Sequence, residues 1–474
     1  MILTESWTLP SLAGAVLSPA SVGFLAAVWL GYKILVMLYN ISPLHPLYRF
    51  PGPKLAAATC AYEAYYDWRL VGRYSKAVKQ MHERYGPLVR IGPGELHCCD
   101  SAFTDEIYAG SGRIRDCTQR CKSQYPGGLL AGRYEVRVIA SLRPLLADVD
   151  AVAPGNAAVA SFAATPHELH RARRSPMSRF FSRSQILKLE SEVLDFAQLA
   201  VDKMLRSAGG EPLNLGSAFQ CFTGRHNLQP LLWRAHGIRS AGGVGAQHCN
   251  LDAVPSEAHM RHKFLLRKAS EYLPMLAKYV SEDTRNLLHH MDVVIPGYIR
   301  AAVADPTNNR LFAELARGKT QAPEKSKAAA AGQRLSAEGF ALLIAGTETT
   351  AATLTVISYH VLANPHILAR LQQDLEDMAP ETLKWVELEK RPYLWAVVHE
   401  GLRMMPGVAP RSARIARDED LVYKSRDGGG ADWVIPRGTP VSMTPWINHW
   451  DEDLYPDPDG FRPDRWLLDD GGAG

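Results

Sequence analysis

Ala345-Gly346-Thr347-Glu348-Thr349-Thr350 sets one carboxylate among three hydroxyls, next to a glycine. A carboxylate beside hydroxyls can pass protons, and a glycine lets a reacting molecule approach the backbone. Glu348 is the only formally charged side chain between Glu338 and Arg370, and Leu342, Leu343, Ile344, Leu354, Val356 and Ile357 surround it. The alternative is that the threonine hydroxyls bond back to carbonyls one turn earlier while Glu348 faces a wet groove. A second group, His170 and Arg174, lies four apart in a basic helical pattern and could grip an anion; a solvated basic face is the other reading. A third, Glu400 and Arg403, shares a helix face at a spacing of three, which by itself says little.

These groups need rigid carriers. Ser336 is a good N-cap, Glu338 falls in the first turn and Asn364-Pro365 supplies a stop, so Ser336 to Asn364 predicts one helix, buried on most faces. At about 1.5 Å per residue it would run roughly 40 Å. A mid-helix glycine costs about 1 kcal/mol relative to alanine, and local rules broken inside a buried element point to a site. The stretch from Glu314 to Arg334 reads as a polar linker into that helix. Pro392 suits the first turn of the helix carrying Glu400 and Arg403. Ser75 to Tyr85 predicts a helix, Gly86 to His97 a short hairpin, and Trp433 to Met443 two short strands about a Gly turn.

With 474 residues, 46% hydrophobic and 22% charged, the chain has ample material for a core. Net charge is +4, and the absence of a dense Lys/Arg tract argues against a nucleic-acid partner. The seven cysteines form neither a zinc pattern nor a secreted disulfide framework. No residue from Ser6 to Tyr32 is charged, and the apolar run continues to Tyr39 with only Lys33 interrupting it. That length suits a single membrane crossing, with a buried core helix as the alternative. Residues 1–40 are read as an uncleaved anchor, 41–54 as a stiff Pro-rich hinge, and 55–474 as the main domain. Lys33, Arg49 and Lys54 follow the run, so the positive-inside rule puts the main domain in the cytosol. Within that domain, 133–165 looks like an inserted loop, and helical periodicity fails over 223–249.

Three motifs in one order, Ala345-Gly346-Thr347-Glu348-Thr349-Thr350, Glu400-Gly401-Leu402-Arg403 and Phe461-Arg462-Pro463-Asp464-Arg465-Trp466, closely resemble those of the cytochrome P-450 family. The anchor, the hinge and the basic His170-to-Arg174 helix are similar to its microsomal branch. Phe50-Pro51-Gly52-Pro53 and Pro406-Gly407-Val408 look like fungal, trichodiene oxygenase-like members. The resemblance implies a mainly α fold with small β-sheets and haem as cofactor. It implies insertion of one oxygen atom from dioxygen into an apolar, terpenoid-type secondary metabolite. Electrons would come from NADPH through a reductase, at the endoplasmic reticulum membrane. By the same resemblance, Thr349 and Glu348 handle protons, Ala345 and Gly346 stand against the cofactor, and His170, Arg174 and Arg411 hold its propionates. Glu400, Arg403 and Arg465 would form a buried ionic cluster, and Arg173 would help dock the reductase.

The resemblance also requires a Phe-x-x-Gly-x-Arg-x-Cys-x-Gly loop soon after Arg465, whose thiolate ligates the iron. The sequence reaches Gly474 nine residues later, and no cysteine follows Cys249. The expectation is therefore a P-450 fold lacking its C-terminal haem-ligand segment, with no metal ligand and no activity as written. A retained intron, a frame error or gene decay would explain this together with the two irregular stretches; an uninterrupted transcript ending at Gly474 would speak against a gene-level error. Two alternatives stand beside it: a non-catalytic anchored remnant that binds apolar molecules or partners, and a polytopic membrane protein in which the Ser336 helix spans the bilayer.

Overall fold

The computed structural model of the chain describes residues 19–70, 73–110, 112–117, 160–164, 166–232, 293–304, 311–317, 324–379, 383–408, 411–424 and 432–468. Helices dominate, with one five-stranded and one two-stranded sheet. The apolar N-terminal run forms α1 (Pro19–Ile41), whose Phe24, Leu25, Trp29 and Leu35 are all exposed. Its segment Gly23–Ile41 is long and apolar enough to cross a membrane. At its end, Asn40 Nδ2 donates to Ala58 O at 2.9 Å in α2 (Lys54–Ala58), tying the helix to the domain.

Tyr74, Ala77, Val78, Met81 and His82 recur at helical spacing, and they are the buried face of α3 (Tyr74–Tyr85). Gly86, at φ +92°, ends this helix, and the antiparallel pair β1 (Leu88–Gly92) and β2 (Glu95–Cys98) follows in the register Val89 to His97. The large sheet has the order β1-β2-β7-β4-β3, with β3 (Arg115–Cys117), β4 (Arg414–Ala416) and β7 (Pro440–Ser442). The two strands about Gly438 do form, but they are not a hairpin. Trp433–Ile435 (β6) pairs with β5 (Leu421–Tyr423), while β7 runs parallel to β2. Long-range pairing overrides the local turn signal.

The helical part contains α4 (His167–Ser178), α5 (Glu190–Arg206), α6 (Leu215–Leu232), α7 (Ile295–Ala304), α8 (Leu311–Arg317), α9 (Glu324–Ala363), α10 (Pro365–Asp374), α11 (Pro392–Met404) and α12 (Pro445–His449). Helix α9 is 40 residues long and lies against α6, α7, α8, α10 and α11, so it is an internal axis of the domain. Around its first half Met177, Ile295, Ile299, Leu311, Phe312, Leu335, Phe340 and Leu343 form one core cluster.

Two boundaries differ from the sequence expectation. Helix α9 begins at Glu324, so Ser336 is an interior residue and not a cap, and most of the supposed linker is helix. The run Ala328 to Ala331 with neighbouring lysines is strong helix-forming sequence, and it outweighed the cap signal. Helix α6 continues through Thr223 to Leu232, into the stretch where periodicity failed. Most of 133–165, all of 233–249, and the anchor residues before Pro19 lie outside the described residues.

Candidate active site

Pro392 opens α11 at its first turn, where a missing N–H costs nothing, and Tyr393, Ala396, Val397, Glu400 and Arg403 are buried. Glu400 is fully buried and its carboxylate is surrounded by donors. Arg403 Nη2 donates to Oε1 and Arg403 Nε to Oε2, both at 2.9 Å; Arg462 N gives 2.9 Å and Trp466 Nε1 2.9 Å. Arg465 Nε closes the group at 3.2 Å from Oε1. Arg403 also donates to His449 O at 2.9 Å and Gly460 O at 3.2 Å, and Arg465 to Pro456 O at 2.9 Å and Asp457 O at 3.0 Å. The carboxylate thus binds the segment from 449 to 466 onto α11. Burial alone would raise the pKa of Glu400, but the hydrogen bonds from Arg403, Arg462 and Trp466 outweigh it and the pKa is lowered.

The centre of α9 presents three consecutive residues in three directions. Thr347 is buried against α6, where Thr223 Oγ1 donates to its carbonyl at 3.0 Å. Glu348 is half-buried. Thr349 is also half-buried: its hydroxyl donates to Ala345 O at 2.7 Å, and its Cβ packs beside Gly407, whose φ is +58°. With its proton committed to that carbonyl, the Thr349 oxygen keeps lone pairs that can accept from a water or a bound molecule. Ala345 is exposed and Gly346 half-exposed, so the middle of this otherwise internal helix has an open surface.

The basic residues separate into two groups. Arg411 is neutralised: Nη2 lies 2.6 Å from Glu63 and Nε 2.9 Å from Glu95, with the guanidinium over the Tyr74 ring. The expectation made Arg411 an anion-binding group; in the structure two carboxylates far away in sequence compensate its charge. His170 and Arg174, on one face of α4, stand instead with Arg414 of β4. Burial, then the charges of His167, Arg174 and Arg414, lower the pKa of His170. Arg174 lies over the Phe181 ring and Arg414 over the Tyr108 ring, and among the described residues neither has a carboxylate partner. The two guanidinium groups, with the His170 ring as a further donor, fit a dianionic group such as a pair of propionates. Arg414, three residues from Arg411, was missed in the sequence because nothing local distinguishes the two.

Arg173 is half-buried and donates to Ala160 O at 3.2 Å, pointing inward rather than outward as a docking group would. Glu338, read as a first-turn residue, is 2% exposed and accepts from Ser161 N at 2.7 Å and Ser161 Oγ at 2.9 Å. It fastens the segment entering α4 to α9. Burial pushes the Cys98 thiol well up and the Cys99 thiol up to about 11, so both are protonated thiols at neutral pH.

Comparison with known proteins now places the chain. Residues 260–473 match the family described as Cytochrome P450. A cytochrome P450 monooxygenase of Metarhizium majus is 31% identical over 455 residues, covering 90% of this chain and 87% of that protein. The conidiogenone synthase of Penicillium rubens is 33% identical, covering 93% and 82%. A cytochrome P450 monooxygenase of Aspergillus flavipes is 30% identical, covering 92% and 88%. The chain belongs to the cytochrome P450 family, as a monooxygenase of fungal secondary metabolism. The cofactor of such enzymes is haem iron, reduced by NADPH through a reductase, and their substrates are small molecules.

Proposed function

We propose that this protein is a membrane-anchored member of the monooxygenases that insert one oxygen atom from dioxygen into an apolar, terpenoid-type secondary metabolite, and that residues 1–474, with no cysteine after Cys249 to ligate iron, do not complete that reaction by themselves. The observation that carries the reading is the open surface at Ala345, Gly346 and Thr349 in the middle of α9. A molecule resting there meets small apolar groups, one hydroxyl oxygen and the sole carboxylate of the segment, a setting that favours an apolar substrate. His170, Arg174 and Arg414 would hold the haem propionates, and Ala345 and Gly346 would face the cofactor. Arg411 does not bind the cofactor; through Glu63 and Glu95 it ties the loop after α11 to β2. When bound, haem activates dioxygen with two electrons and two protons, so that one oxygen atom enters the substrate and the other leaves as water. Thr349 accepts a hydrogen bond from a water and fixes its position, and Glu348 exchanges protons with solvent. Helix α1 anchors the chain in the endoplasmic reticulum membrane, with Arg49 and Lys54 on the cytosolic side.

The test is expression from the natural gene in microsomes with a reductase, labelled dioxygen and an apolar terpene panel. The expected result is one labelled oxygen in the product and the Soret band of a thiolate-bound haem in the reduced CO-difference spectrum. Thr349→Ala should lower product formed per NADPH by about 100-fold. Unlabelled product, or full coupling in the variant, would overturn the assignment.

A further inference from the structure

Three buried polar side chains that play no part in the oxidation form one hydrogen-bonded line. His82 of α3 has Nδ1 2.8 Å from Gly86 O and Nε2 2.7 Å from His97 Nδ1 of β2, and His97 Nε2 lies 2.8 Å from Thr444 Oγ1 at the start of α12. His97 and Thr444 are at most 1% exposed and His82 is 9% exposed. The protons in this line have one arrangement. Gly86 O can only accept, so His82 carries its proton on Nδ1 and leaves Nε2 as an acceptor. His97 must then donate from Nδ1, and its Nε2 accepts the Thr444 hydroxyl. Every donor and acceptor is used with both rings neutral; a proton added at His82 Nε2 is met only if His97 switches to its Nε2–H tautomer and donates to the Thr444 oxygen, and this leaves a buried charge with no carboxylate bonded to either ring.

We infer that the His82–His97–Thr444 line is an acid-sensitive clasp, which holds α3 and the sheet edge to α12 only while both imidazoles are neutral. The surroundings supply nothing that would stabilise a cation. Glu95 is engaged with Arg411 and Ser442, Cys98 and Cys99 are protonated thiols, and Arg90 lies on the opposite face of β1. On α12, His449 bonds to Arg403 O; on α3, Lys79 lies over Trp446, and Glu83 and Arg84 are exposed. Burial lowers the pKa of both imidazoles, His97 further because His82 is beside it. The clasp also reaches the active site. Thr444 precedes α12, which ends at His449, and the carbonyl of His449 receives Arg403 Nη1 at 2.9 Å. Release of Thr444 therefore loosens a support of the Glu400 cluster.

Histidines kept neutral in the fold take up protons when the segment opens, so stability falls as pH drops below their ordinary pKa of about 6.5. Each contributes roughly ten-fold per pH unit, and the pair about 100-fold. Amide hydrogen exchange on the full chain reads this directly. Protection over 74–98 should fall by about 100-fold per pH unit below about pH 6.5, with 444–449 following, while α7 and α8 change far less. The double variant His82→Gln and His97→Gln keeps a donor and an acceptor at each position without a titrating ring, and its protection should be flat with pH. Should that variant not fold, histidine 15N shifts of the wild type decide. Both rings should appear as neutral Nδ1–H tautomers down to the pH where protection is lost. A cationic ring at neutral pH, the opposite tautomer at His82, or pH-independent protection in the wild type would overturn the clasp.

Discussion

At the residue scale, Glu400 decides whether the segment from 449 to 466 stays in place. Its two oxygens receive Arg403, Arg465, the Arg462 amide and the Trp466 indole, while Arg403 and Arg465 spread their remaining donors over four carbonyls. Such a network tolerates the loss of a peripheral carbonyl but not of its only carboxylate. Glu400→Ala leaves the buried Arg403 and the half-buried Arg465 without their shared counter-charge, which should cost about 3–5 kcal/mol in a urea titration. Exposed pairs such as Lys390 with Glu387 are worth at most about 1 kcal/mol, so Glu387→Ala is the matched control. The pH dependence has a definite sign. Because the folded pKa of Glu400 is lowered, its contribution is complete above the ordinary carboxylate value of about 4.3 and is lost as pH falls through the folded value. Wild type should lose stability in that acidic window, and the variant should lose less.

At the element scale, the sheet and helix ends followed from local signals wherever a single residue type dictates backbone geometry. Gly86 and Pro392 mark their boundaries for this reason. The elements misjudged were those fixed by partners far along the chain. Helix α6 survives Gly224 and its polar neighbours because it is held along α9, where Thr223 Oγ1 bonds to the Thr347 carbonyl. Strand β7 leaves its sequence neighbour β6 for β2, pairing Val441 with Leu96, 345 positions away. In the site, Glu400 and Arg403 could be read from a spacing of three. Arg411 and Arg414 could not be told apart, since Glu63 and Glu95, which neutralise one of them, come from the opposite end of the sequence. The contact between α11 and α9 rests on a glycine. A Cβ on Gly401 would stand 2.2 Å from Ile357 Cγ1 and 2.6 Å from its Cδ1. Gly401→Ala should therefore cost about 1–3 kcal/mol by overpacking, and Ile357→Ala in the same chain should recover part of it. Strict additivity of the two losses in thermal unfolding would show that the helices do not meet there.

At the scale of the whole molecule, the question is how firmly the apolar helix α1 is joined to the domain that carries the site. The connecting residues are held at several points along their length. Arg90 of β1, 2% exposed, donates from Nη1 to Leu47 O at 3.3 Å and from Nη2 to Pro93 O at 2.6 Å, with His45 Nδ1 3.2 Å away. Its amide donates to Pro51 O at 2.7 Å, and Phe50 packs on Trp433. Burial, and then the Arg90 charge, lower the pKa of His45 to about 4, so its ring is neutral and can accept from the guanidinium at physiological pH. Gly52 is the critical position in this bracket. Its φ is +154°, and a Cβ would stand 2.4 Å from Arg90 O, a backbone atom with nowhere to move. Gly52→Ala should therefore lift the connector off β1 while leaving α9 and α11 intact. The expected outcome is selective cleavage between Ile41 and Lys54 under limited proteolysis, with the Glu400 cluster region still protected. Arg90→Met should give the same cleavage more weakly, because the Gly52 approach and the Pro51 bond remain. Losing a buried donor or acceptor costs about 1–3 kcal/mol, so local opening and cleavage should accelerate roughly 5- to 150-fold. A cleavage rate equal to wild type in both variants would mean that the connector is free and that the membrane, rather than the sheet, sets the orientation of the domain.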